Sequence, residues 1–137
     1  MGTGDRRGGA RRFRLLVESS PDAIVVQTGG RFAYVNEAAV RLYGAQGAGE
    51  LVGTPFLDRY RADFVESARE RMRMVSERHI PAPQAERVFL RLDGTEVPVE
   101  ASAVPIQYRG SDGGLVFIRD ITERKRAEAW RTTSTTC

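Results

Sequence analysis

Apolar positions recur along this chain with two periods, and the switches between them mark out its elements. Phe13, Leu16 and Val17 fall at i, i+3 and i+4, predicting a short amphipathic helix that ends at Ser19-Ser20-Pro21. Ala23 to Thr28 is rich in β-branched residues, and Arg31 to Val35 reads as a second strand. Gly29-Gly30 between them predicts a tight hairpin, because glycine takes positive φ without steric cost. Asn36 is placed to cap a helix running through Tyr43 and stopping at Gly44, with Glu37 at its positive end. Residues 44 to 60 mix Gly, Pro and short apolar pieces, which fits one or two helical turns in an irregular connection. From Arg61 to Arg78 the period is helical: Phe64, Val65, Ala68, Met72 and Val75 share a stripe opposite Glu66, Arg69, Glu70, Arg73 and Glu77. Pro81 and Pro83 end it.

Two alternating segments follow. Val88, Leu90 and Leu92 are expected to point one way and Arg87 and Arg91 the other, with a turn at Asp93-Gly94. Val97, Val99, Ala101 and Ala103 then oppose Glu96, Glu100 and Ser102. A turn over Gly110 to Gly114 leads into a last strand, Leu115 to Ile121. All strand connections but one are hairpins, so the sheet is expected to be antiparallel with the helical middle crossing one face, an α+β class. The last strand passes through Asp120-Ile121-Thr122 into a charged, helix-favouring stretch with no loop residue between.

Composition narrows the classes. The 137 residues, 41% hydrophobic, suffice for one core. No run of about 18 apolar residues spans a membrane, and no apolar stretch follows the N-terminal arginines as a signal peptide requires. The single cysteine, Cys137, excludes an internal disulfide or a cysteine-based metal site, and a reducing cytoplasm fits best. Residues 1 to 14 hold five arginines against one aspartate, a net +4, whereas the other 123 residues carry 16 basic and 17 acidic groups, a net −1. The basicity belongs to a leader, read as disordered. Nucleic-acid contact through that leader is the lesser expectation.

The segments FRLLVESSPDAIVV (13–26), RFAYVNEAAVRLYG (31–44), ELVGTPFLDRY (50–60), RLDGTEVPVEAS (91–102) and GGLVFIRDITERKRAE (113–128) together resemble the PAS sensory domain of bacterial signalling proteins such as sensor histidine kinases. The resemblance implies a five-stranded antiparallel sheet curved around a small helical set, with ligand space between sheet and long helix. It divides the chain into a leader (1–10), the domain with its N-terminal flanking helix (11–121), the start of a signalling helix (122–131) and a Ser/Thr tail (132–137). It also implies that Asp120, Ile121 and Thr122 form the signal junction. Thr122 is expected to cap the new helix, and Asp120 to pair with Arg124 or Arg126.

Pocket candidates on this reading are Tyr34, Tyr43, Phe56, Phe64, Val65, Ala68, Met72, Val88, Leu90, Val99 and Ile118, although the ordinary role of such residues is core packing. Arg87 and Arg91 would reach a carboxylate only from the face expected to be solvated. Cofactor-bearing branches of the family need residues not found here. The flavin light sensors and the photoactive-yellow type require a cysteine inside the domain. Haem sensors require an axial histidine near position 65, where Val65 stands, whereas the single histidine is His79. No cofactor is expected, and an unidentified small organic ligand fits the apolar space.

There is no catalytic constellation, and neither Gly-Gly pair precedes a phosphate-binding helix with its lysine, so the chain is not expected to be an enzyme. The leading expectation is a sensory module that relays a ligand-induced change through the junction. The effector would be a histidine kinase or other domain, in cis in a longer parent or in trans. The alternative is a ligand-free adaptor that homodimerises through Phe13, Leu16 and Val17. Residues 122 to 131 hold less than two heptads, too few for a coiled coil, which points to a piece of a larger sensor or to action in trans.

Overall fold

A computed structural model describes residues 14 to 135, with side chains through Arg131. The leader, Phe13 and Cys137 lie outside the described residues. The described turns of the first helix (α1, residues 14 to 18) lead to β1 (Ala23–Thr28) and β2 (Arg31–Val35). Gly29 and Gly30 join these strands with φ of 59° and 79°, the backbone that the two glycines were expected to supply.

Helix α2 (Glu37–Leu42) follows at once, capped as expected by Asn36, whose side chain accepts from Ala39 N. Three 3-10 turns fill the irregular connection: Ala48–Glu50, Phe56–Arg59 and Ala62–Phe64. The long helix α3 begins later than its apolar period suggests, at Val65, and runs to Arg78. It stops before the prolines, because His79 turns left-handed with φ 57°. Strand β3 (Ala82–Leu90) then contains Pro83, which an edge strand tolerates, since one row of its backbone groups is unpaired. Strands β4 (Glu96–Tyr108) and β5 (Ser111–Asp120) complete the sheet, and helix α4 (Thr122–Thr135) leaves it. This helix continues through residues that the sequence assigned to a Ser/Thr tail.

The five strands are ordered β2-β1-β5-β4-β3, and every pairing is antiparallel. The β4–β5 turn corrects the expectation. It is the two-residue Arg109-Gly110, both at positive φ, while Gly113 and Gly114 lie inside β5 opposite Thr28 and Gln27. The reason is space: a Cβ at Gly113 would overlap the Gln27 carbonyl oxygen and come within 2.8 Å of Thr28 Cγ2.

The concave face of the sheet, α2 and α3 enclose the core. Its centre is a closed circuit of five aromatic rings: Phe32, Tyr43, Phe89, Tyr60 and Phe56, with consecutive centroids 4.7–5.7 Å apart. Edge-to-face pairs of this kind add about 0.5–1.5 kcal/mol each beyond area burial. Asn36, fully buried, joins three elements: it accepts from Ile24 N (3.0 Å) and Ala39 N (2.9 Å) and donates to Val17 O (2.7 Å) and Asp22 O (3.1 Å).

The expected facing of β3 is reversed. Phe89 is wholly buried, and Arg87, two residues before it, shares its side of the strand. Val88 and Leu90 take the opposite side, half-buried, and Leu92 is exposed. Phe89 wins the inner face because it stacks on Tyr43 and meets Tyr60, contacts that Val88 has no ring to make.

Candidate functional site

Beside the aromatic circuit, between α3 and the inner face of the sheet, lies a small, partly open cavity of about 30 Å³. One water needs roughly 10–15 Å³ of such space, so the cavity matches a group of a few heavy atoms. Ala68, Met72 and Val75 of α3 form its roof. Its floor is β4 and β5, where Ala101, Ala103 and Gly114 leave room that larger side chains would fill. Phe56 and Tyr60 close one end.

The polar groups of this apolar chamber are distinctive. Gln27 of β1 is 2% exposed and donates to Ser76 of α3 at 3.0 Å while accepting from Gly30 N. Arg71 and Arg87 line it as well. Arg71 donates to the carbonyls of Pro83 and Ala101. Burial pulls its pKa below the ordinary arginine value, and repulsion from Arg87 pulls it further. Arg87 donates to Ser67 Oγ (2.9 Å) and Glu86 O (2.8 Å), lies 5.5 Å from the centre of the Phe64 ring, and buries its Nε with no hydrogen-bond acceptor. Among the described residues neither arginine forms an ion pair. Arg61, on the same Phe64 ring, is by contrast neutralised by Asp63 and Glu96. The Tyr60 hydroxyl lies within the field of both cavity arginines, yet burial still pushes its pKa up to about 12.

Of the eleven expected pocket residues, Phe56, Ala68 and Met72 line this cavity. Phe64 and Val65 pack at the margin of the core, and Tyr43 and Val99 are buried within it. Ile118, also in the core, borders a separate surface groove of about 260 Å³ with Asp22, Arg91 and Asp120. Val88 and Leu90 are on the far side of β3. Tyr34 turns its hydroxyl to Glu18 of α1, outside the core. Arg87, expected in solvent, is a cavity residue, and Arg71 and Tyr60 carried no sequence signal beyond ordinary helix and loop positions. A larger open groove of about 620 Å³ shares Gln27 and Met72 with the cavity, so those two side chains border both.

The junction is built differently from the expectation in detail. Asp120 is the cap: its Oδ1 accepts from Thr122 N (2.8 Å) and Thr122 Oγ1 (2.5 Å). Ile121 is buried and its N–H donates to Pro98 O at 3.0 Å, so the root of α4 is hydrogen-bonded to β4. Arg124 pairs not with Asp120 but with Glu86 (3.0 Å) and Glu100 (3.1 Å), and Lys125 reaches Glu86 at 2.6 Å. Arg126 pairs with Glu123. Glu86 and Glu100 are cross-strand partners on β3 and β4, so their like charges stand side by side and the two cations of α4 compensate them. These cations hold the Glu86 carboxyl below its ordinary pKa, Lys125 most strongly.

The expected dimer face divides. Val17 is buried and its carbonyl is taken by Asn36, so it belongs to the domain's own packing, whereas Leu15 and Leu16 are 65% and 75% exposed. Phe13 lies outside the described residues. No cluster of metal ligands occurs among the described residues, and no helix among them is long and apolar enough to cross a membrane.

A family model described as "PAS domain" matches residues 21–123. Sporulation kinase A of Bacillus subtilis is 26% identical over 117 residues, covering 85% of this chain and 19% of the kinase. The C4-dicarboxylate transport sensor protein of Rhodobacter capsulatus is 38% identical over 105 residues, covering 72% of this chain and 15% of that protein. The chain thus spans less than a fifth of either relative. Among solved structures, a PAS domain from Colwellia psychrerythraea superposes with a TM-score of 0.70 at 24% identity, over 83% of this chain and 98% of that one, a likeness of fold.

Proposed function

The chain belongs to the PAS domain family, and from that premise we propose that it is the input module of a longer signalling protein, passing a change in its cavity through α4 to an effector. The homology to segments of a kinase and of a sensor protein supports a histidine kinase as that effector, in cis or in trans. In this reading the chain itself catalyses nothing.

One observation carries the proposal. The β3–β4 hairpin presents the cavity on one face and the anchorage of α4 on the other. Along β3, Arg87 faces the cavity and its neighbour Glu86 holds Arg124 and Lys125. Along β4, Ala101 faces the cavity and Glu100 holds Arg124. Single surface ion pairs contribute little, but this network ends on Glu100, only 18% exposed, and is backed by the buried Ile121. A twist of the hairpin that follows occupancy of the cavity therefore changes the geometry of all three charge contacts at once.

The test is hydrogen exchange over residues 122 to 131, with anisotropy of Trp130, the chain's one tryptophan. Glu86→Gln with Glu100→Gln is expected to speed exchange in α4 while the sheet stays protected. Filling the cavity with Ala68→Leu is expected to alter α4 exchange as well. If α4 ignores the filled cavity, there is no relay.

Dimerisation is a second reading, supported by the exposed Leu15 and Leu16 of α1 and by Val104 and Phe117, exposed on the sheet. Light scattering of the chain beside Leu15→Ser/Leu16→Ser tests it; equal masses for both would remove α1 as the interface.

A further inference from the structure

The cavity has a charge character that generic core packing does not produce. Two arginines, Arg71 and Arg87, line one small cavity close enough to repel each other. The chamber contains no Asp or Glu side chain. Arg61 is matched by Asp63 and Glu96, Arg119 by Asp22, and Arg124 by Glu86 and Glu100, while Arg31, Arg59 and Arg91 donate to backbone carbonyls. What sets Arg71 and Arg87 apart is that they share one cavity. Placing two cations against an apolar wall is costly unless an anion compensates them. The groups that could receive one are also incomplete, since the buried Arg87 Nε has no acceptor. An arginine whose other nitrogens are held by Ser67 and the Glu86 carbonyl has its orientation set in advance.

Resting on the reading of the chain as a ligand-receiving module, we propose that the cavity takes the carboxylate headgroup of a small organic acid, bound between Arg71 and Arg87 with the Tyr60 hydroxyl as a third donor. Size argues for a headgroup rather than a whole metabolite: about 30 Å³ admits a carboxylate and little else. The rest of the acid has room to extend past Gln27 and Met72 into the open groove that shares these side chains. Met72 is unbranched and yields readily, whereas Gln27, bonded to Ser76 and Gly30, supplies a fixed polar edge. The ring of Phe64 keeps Arg87 against the chamber without neutralising it.

The test titrates the 137-residue chain with formate, acetate and succinate at constant ionic strength. Binding is followed by calorimetry, and nitrate and chloride serve as non-carboxylate probes. Saturable binding of at least one carboxylate is expected, weakened at least tenfold in Arg87→Gln and in Arg71→Gln and unchanged in Arg61→Gln, whose guanidinium is already paired. Arg87→Lys keeps the charge without the planar fork, and is expected to bind more weakly than the parent while remaining folded by circular dichroism. Equal binding of nitrate or chloride, or carboxylate binding indifferent to both arginines, overturns the assignment. A neutral compound found by native mass spectrometry, displaced by Ala68→Leu but insensitive to Arg87→Gln, would sink the carboxylate while leaving the sensory module standing. An α4 that ignores Ala68→Leu sinks the module itself.

Discussion

Replacing Asn36 by alanine tests the hub on which the N-terminal half is assembled. The amide fills a fully buried position and makes four hydrogen bonds of 2.7–3.1 Å. Two bonds cap backbone N–H groups, on Ile24 at the start of β1 and on Ala39 in the first turn of α2. The other two satisfy the carbonyls of Val17 and Asp22. Asn36→Ala removes all four partners at once and leaves no water path to a site of zero exposure. Each orphaned buried donor costs about 1–3 kcal/mol, and the carbonyls, which tolerate one missing partner better, cost less. The sum is about 3–5 kcal/mol, a large part of the 5–15 kcal/mol typical of a domain. Equilibrium urea unfolding reads it: the midpoint should fall sharply at unchanged slope. Asn36→Asp separates the roles, because it keeps the two accepting bonds but turns a buried carboxylate toward two carbonyls, and it should be no better than alanine near neutral pH. A loss below about 1 kcal/mol for Asn36→Ala at constant slope would refute the account of Asn36 as a hub.

Gly113→Ala should destabilise by about 3 kcal/mol or more, because β1 and β5 must separate to admit the methyl group, whereas Gly29→Ala, with open space but φ of 59°, should cost only about 1–2 kcal/mol; paired thermal melts rank the two. Tyr43→Phe should hold or slightly raise stability by denaturant unfolding, since the buried Tyr43 hydroxyl has no hydrogen-bond partner to lose. The Glu86 carboxyl sits below its ordinary value of 4.5, so its contribution is complete above about pH 4.5 and is lost as pH falls through the lower folded value. The protection of α4 amides, measured relative to the intrinsic exchange rate at each pH, should therefore fall on acidification in the parent, and Glu86→Gln should flatten that acid limb; an unaltered protection profile would detach Glu86 from α4.

What the amino-acid sequence determined by itself is the set of features whose cause is local. Gly29-Gly30 makes a hairpin because both φ values must be positive, Asn36 caps because its side chain reaches the next turn, and the stripe of α3 follows from a 3.6-residue period. The family was legible for the same reason: its short segments recur in order, each locally constrained. Tertiary structure alone decided which side of β3 turned inward. Val88, Leu90 and Leu92 offered three apolar residues against a single Phe89, but Phe89 closes a ring circuit with Tyr43 and Tyr60, residues 46 and 29 positions away in the chain. That choice carried Arg87 into the cavity beside Arg71 and put Glu86 outside, facing Arg124, 38 residues further on. A strand's alternation states only that neighbours part company. Which neighbour is buried depends on the surface the rest of the chain brings to meet it, and here that surface is aromatic.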